Sequence, residues 1–259
     1  MRDVRQGVRL MLAMLAMLAS GLLAGAAHAR APDEVVRIGV DSANPPFMSG
    51  TSTVARGVYP ALLSAAFSAM GEPVLVAALP WKRVIVAIDE GTAGAAGIYR
   101  TAAREKTYDF SDPILIERVG LYYNSAKPVA FSSVADLYGL RVGVITGWSY
   151  GDEFDRACRE GKIIAVPVPS DLQNLGKLEL GRIDAALIII EAAPALLALK
   201  PSQGIARSER LLAENATYLA FNKRARKSVL LRRFNAALSE LRANGEHGRI
   251  VARELAAGQ

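Results

Sequence analysis

Strand-length apolar runs alternate with segments of helical period along nearly the whole chain, and that alternation leaves few architectures open. Val35 to Val40 reads as a short buried strand, broken by Asn44-Pro45-Pro46. Gly57-Val58-Tyr59-Pro60 opens a helix with Leu62, Leu63, Ala66, Phe67 and Met70 at the 3.6 period and Gly71 as its stop. A strand from Val74 to Ala77, a helix from Trp81 to Glu90 and a small-residue strand from Ala95 to Ile98 complete a βαβαβ run. Such a run predicts a mainly parallel sheet.

A further strand, Val119 to Tyr123, leads into Lys127-Pro128, and a second run of the same kind follows. Its strands are Arg141 to Ile145, Ile163 to Val168 and Ala185 to Ile190. Between them Ser170 and Gln173 predict a capping box for a helix that Gly181 ends. A last strand, Tyr218 to Asn222, precedes a helix with Leu230, Phe234, Ala237, Leu238 and Leu241 on one face, stopped at Asn244-Gly245. Two similar α/β runs in tandem predict two lobes, with the tail packed on one of them.

The first 29 residues read differently. Arginines in Met1 to Arg9, an Ala/Leu/Met run from Leu10 to Ala27 and the triplet Ala27-His28-Ala29 follow the order of a secretory signal peptide, with cleavage expected after Ala29. An uncleaved membrane anchor is the alternative that the run's length allows. The lone Cys158 lies far from this site, so no lipid anchor and no internal disulfide are expected. The net charge of +6 falls to about +4 once that segment leaves, and its bases are spread along the chain. Nucleic-acid binding is a poor inference from such a balance, and the basic stretch Lys223 to Lys227 reads as a solvated helix face. No metal-ligand cluster and no cofactor motif is present in the sequence, and the glycines after Gly143 lack the Gly-Lys-Ser/Thr ending of a phosphate loop.

VRIGVDSANPPF, PWKRVIVAIDEG, REKTYDFSDPI and LELGRIDAALI, in that order and spacing, resemble the family 3 extracellular solute-binding proteins, the type II periplasmic receptors that serve ABC transporters for polar amino acids. The segment FNAALSELRANGEHGRI is similar to the family's closing helix. The resemblance implies a two-lobed α/β fold of the type II periplasmic binding class, each lobe a mainly parallel sheet flanked by helices. It places one lobe at residues 30–121 and 219–259 and the other at 122–218, with two hinge strands near Leu121 and Tyr218. It implies a periplasmic monomer that closes on a small ligand and meets an inner-membrane ABC permease.

The same resemblance assigns ligand-binding roles. Arg104 matches the family arginine that grips a ligand carboxylate, a task suited to the planar fork of a guanidinium; pairing with Glu105 or Asp109 is its ordinary alternative. Ser149 matches the second lobe's contact to that carboxylate, or else caps its own helix. Trp81 matches a stacking position, Trp148 adds an aromatic wall, and Tyr99 stands where relatives carry a small hydroxyl. Asp41 matches a contact to the ligand's distal group, with turn capping as the alternative.

The departures are as informative. Ile189 stands where amino-acid binders place a carboxylate for the ligand ammonium, and a buried ammonium against isoleucine is costly. Glu191, two residues on, is the candidate replacement. The expected ligand therefore bears a carboxylate and an aromatic or apolar body rather than being a standard α-amino acid; an amino acid or amino-acid-like solute is the alternative, with Glu191, Asp41 or backbone carbonyls taking the ammonium. Enzymes also occur among relatives, including exported dehydratases of cyclohexadienyl acids and lytic transglycosylases with an added catalytic domain. The chain ends too soon for such a domain, and His247 falls in the terminal helix. With Glu191 as the single candidate acid, binding without catalysis is the expectation. A sensor coupled to a membrane kinase would use the same closure.

Overall fold

The computed structural model describes residues 35–202 and 204–257; the expected signal peptide lies outside the described residues. Strand β1 (Val36–Asp41) is followed by three short strands, β2 (Ala43–Asn44), β3 (Met48–Gly50) and β4 (Ala55–Arg56), which pair among themselves. Then come helix α1 (Val58–Ala69), β5 (Val74–Leu79), α2 (Trp81–Glu90), β6 (Gly94–Tyr99), the single turn α3 (Ala102–Glu105) and β7 (Tyr108–Phe110). The long strand β8 (Leu115–Asn124) leads to β9 (Arg141–Ile145), α4 (Asp152–Arg159), β10 (Ile164–Val168), α5 (Asp171–Glu179), β11 (Ala185–Ile189) and α6 (Ala193–Leu199). The chain returns along β12 (Ile205–Asn222) to the helices α7 (Ser228–Ala243) and α8 (Glu246–Ala257).

Nine of these strands form one sheet in the order β10-β9-β11-β8-β12-β6-β1-β5, with β7 also on β12. Each end is parallel: β1 pairs β5 and β6, and β9 pairs β10 and β11. The two middle strands are antiparallel to each other and carry the chain from one half to the other, from Leu115 opposite Thr217 to Asn124 opposite Ile205. Leu121 and Tyr218 fall within them.

Apolar side chains gather in three clusters. The largest holds Tyr59, Leu63 and Phe67 of α1 against Phe234 and Leu238 of α7 and the face of β1, with the rings of Phe67 and Phe234 5.9 Å apart. Each such fully buried side chain contributes about 1.5–3 kcal/mol. The tail thus packs on the β1 half. A second cluster, with Leu121, Val142, Phe154 and Leu187, serves the β9 half, and a third, with Trp81, Val84, Ile88 and Tyr108, lies under α2. Trp148 packs against all three.

Two sequence expectations need correction. Ser170 is the N-cap of α5, but its side chain makes no capping bond; the capping box belongs to Ser133 and Asp136, where both reciprocal bonds form. The strand expected at Tyr218 to Asn222 is the end of an 18-residue strand. Its first two thirds are half-exposed and polar, so they show no apolar run. The short strands β2 to β4 and β7 were likewise unannounced, being too brief for a period to register.

Candidate functional site

The C-terminal ends of β1 and β6 and the start of α2 face the loop after β9, and the side chains they carry meet there. Trp81, Tyr99, Arg104, Trp148 and Ser149 line one small cavity together with Gly97. Gly147 adopts a positive φ of 80°, which turns the loop so that its carbonyl accepts from Trp81 Nε1 at 3.0 Å. Two further bonds cross the same gap. Trp148 Nε1 donates to Asp41 Oδ2 at 2.9 Å, and the Ala102 amide donates to Asp152 Oδ2 at 3.4 Å.

Arg104 sits on the one-turn helix α3, whose N-cap Thr101 accepts from the Arg104 amide at 3.2 Å. Its guanidinium donates to the Tyr99 carbonyl at 2.9 Å, and among the described residues no carboxylate forms an ion pair with it. Glu105, its expected alternative partner, pairs with Arg100 instead. Burial pushes the guanidinium below its ordinary pKa, which Tyr108, Asp155 and Asp89 partly offset. A half-buried cation facing a cavity with only a carbonyl on it is suited to an incoming anion.

Ser149 Oγ donates to Asp155 and accepts from the Gly151 amide at 3.3 Å. Asp155 also takes the Tyr150 amide at 3.0 Å, so serine and aspartate together brace the turn into α4. Asp41 is buried: its Oδ1 accepts from the Ala43 amide at 3.0 Å in a local turn, while Oδ2 holds the indole. The carboxylate thus closes its own turn with one oxygen and holds the Trp148 indole with the other. Burial raises its pKa, and the bonds from Trp148 and the Ala43 amide oppose that rise.

Glu191 is not brought to this cavity. Its Oε1 accepts from Arg118 Nε of β8, and its other oxygen is buried with no partner. Ile189 lies in the main apolar cluster. The acid linked to the cavity is Glu117, which lies buried behind Tyr99 and which the sequence reading passed over. Tyr99 donates to its Oε2 at 2.6 Å and Tyr59 to its Oε1, and the hydroxyls of Tyr59 and Thr217 lie 2.9 Å apart. Burial pushes Glu117 up to about 7 against the lowering effect of both tyrosines. In LIERVGLYY a single acid looks like the solvent face of a strand, and nothing local distinguishes it. Among the described residues no group of three or more His, Cys, Asp or Glu is placed to hold a metal ion.

Comparison with known proteins gives three findings. A model of the bacterial extracellular solute-binding proteins, family 3, matches residues 36–256. Similar solved structures include a histidine kinase sensor domain with similarity to periplasmic binding proteins (TM-score 0.74, 22% identity, 86% of this chain and 96% of that one). They also include an ancestral arginine-binding protein bound to arginine (0.71, 24%, 85% and 97%) and an amino acid ABC transporter substrate-binding protein of Streptococcus pneumoniae bound to L-arginine (0.71, 18%, 86% and 95%). These likenesses show the type II periplasmic binding fold. No curated protein matches the chain.

Proposed function

The chain belongs to the bacterial extracellular solute-binding proteins of family 3, and from that premise we propose that it is a periplasmic receptor for a small carboxylate-bearing solute. Arg104 carries this reading: a half-buried guanidinium, without an ion-paired acid among the described residues, faces the cavity beside Trp81 and Ser149. It would take the two carboxylate oxygens through paired N–H donors. The lobes, 30–121 with 219–259 and 122–218, would close on the ligand about β8 and β12, and closure would present a new surface to an ABC permease. Closure follows from binding only through contacts better made in the closed form.

The amino half of the site is not supplied in the usual place, because Ile189 is core and Glu191 is held by Arg118. We therefore favour a carboxylate without an α-ammonium. The likeness to a histidine kinase sensor domain supports a second use of the same movement, as a signal to a membrane partner. The test is thermal stabilisation of the protein across amino acids, deaminated acids and aromatic acids, with Arg104→Ala beside it. A shift with deaminated or aromatic acids that disappears in Arg104→Ala is the expected result. Equal shifts in both proteins would refute the role of Arg104, and strong shifts confined to α-amino acids would refute the missing ammonium site.

A further inference from the structure

One side chain of the protein, Trp148, both lines the cavity of Arg104 and bonds to Asp41. The indole of Trp148 stands edge-on to Trp81, with ring centres 6.3 Å apart and planes at 69°, and tilts over Tyr150 at 6.3 Å and 38°. Its N–H is bonded to the buried Asp41, and its ring touches the apolar clusters of both halves and of α2. The space it leaves beside Arg104 is about 10 Å³. That is roughly what one water needs, and too little for a carboxylate with a carbon skeleton attached. A second chamber, about 230 Å³, lies against Asp41, Trp81, Lys82 and Thr146. Trp148 reaches from the wall of the first to the carboxylate of the second.

We propose that Trp148 is an internal occupant of the ligand cleft and its specificity-determining residue. A ligand anchored on Arg104 reaches Asp41 only by displacing the indole, and the room so freed selects a planar ring bearing an N–H donor. This rests on the reading of the cleft as the ligand site. Competition with the indole lowers apparent affinity by the fraction of molecules in which it has moved aside. Selection follows from Asp41, whose buried oxygen loses its donor when the indole leaves. A ring that restores an N–H there is favoured over one of the same shape without it by about tenfold or more.

Trp148→Ala tests this, with indole as the probe and 1-methylindole as the same ring lacking the donor. The variant should melt roughly 5–10 °C below wild type. Indole should bind once per chain by calorimetry and recover several degrees by mass action; 1-methylindole should bind at least about tenfold more weakly. Wild type should respond to neither. A folded variant that ignores indole, or binds both probes equally, overturns the proposal. If the variant does not fold, the two indole N–H resonances of wild type answer the question during titration with indole-3-acetate. The Trp148 signal should shift and lose its protection from hydrogen exchange, and an unchanged signal overturns the proposal. Indole binding does not use Arg104, so it should persist in the double variant with Arg104→Ala. Retained indole binding with no carboxylate response in any variant would remove the proposed function and leave the occupant standing.

Discussion

Glu117, fully buried, and Arg104, half-buried, are groups of opposite charge type joined through one residue, yet their surroundings differ in kind. Tyr99 gives its hydroxyl proton to Glu117 and its carbonyl to Arg104. Both oxygens of Glu117 are met by tyrosines, whereas Arg104 has a single carbonyl and no acidic partner among the described residues. A satisfied buried group holds a fold together, and a half-buried cation left open to a cavity is free to meet an anion. The acid belongs to the scaffold and the base to the cavity wall.

The sharpest way to break that contrast is Glu117→Ala. It strands two buried tyrosine hydroxyls and should cost about 3–5 kcal/mol, read as a fall of the melting midpoint by roughly 10 °C. A loss within 1 °C would make Glu117 a bystander.

The next effect is in pH. Burial pushes Glu117 and Asp171 each up to about 7, above ordinary values of 4.5 and 3.8. Between roughly pH 4 and pH 7 the unfolded chain holds fewer protons than the native one, so stability should fall as pH rises through that window and level off above it. Glu117→Gln keeps the shape and removes its share, on the order of 3 kcal/mol across the window. Its stability relative to wild type should therefore be better at pH 8 than at pH 5 in denaturant titrations.

Arg104→Met should do the opposite of Glu117→Ala. Thermal stability should stay level or rise, while affinity for a responding carboxylate drops about 30–100-fold, as calorimetry would show. A large loss of stability would place Arg104 with the scaffold. The smallest effect serves as the control: Glu105→Ala, breaking the exposed pair with Arg100, should change stability by less than about 0.5 kcal/mol.

The parallel ends of the sheet were legible because each of their strands is a short apolar run bracketed by helical periodicity and a glycine stop. β12 was not, because IARSERLLAENAT presents polar and apolar groups to a half-exposed ladder and carries no run to notice. The arginine, tryptophans, tyrosine and serine of the cavity were visible as residue types at telling positions. What they do to one another was not visible. The bond from Trp148 to Asp41 joins residues 107 positions apart, and the Tyr59 to Glu117 bond spans 58. Glu191 was misplaced for the complementary reason: alternation along an ideal strand ignores that β11 ends at Ile189 and the chain turns there toward Arg118.

The pairing of β8 with β12 has a mechanical consequence. Two connectors bonded along their length behave as one ribbon, stiff against sliding in its plane and compliant to flexure out of it. The compliance is not uniform. The ladder slips register between Arg207 and Leu211 and again between Leu211 and Ala213, opposite Gly120, where a Cβ would come within 3.0 Å of Ile190 and 3.1 Å of Arg207. If the halves close as proposed, bending would concentrate at that irregular, tightly packed stretch, and it would set the axis of the movement.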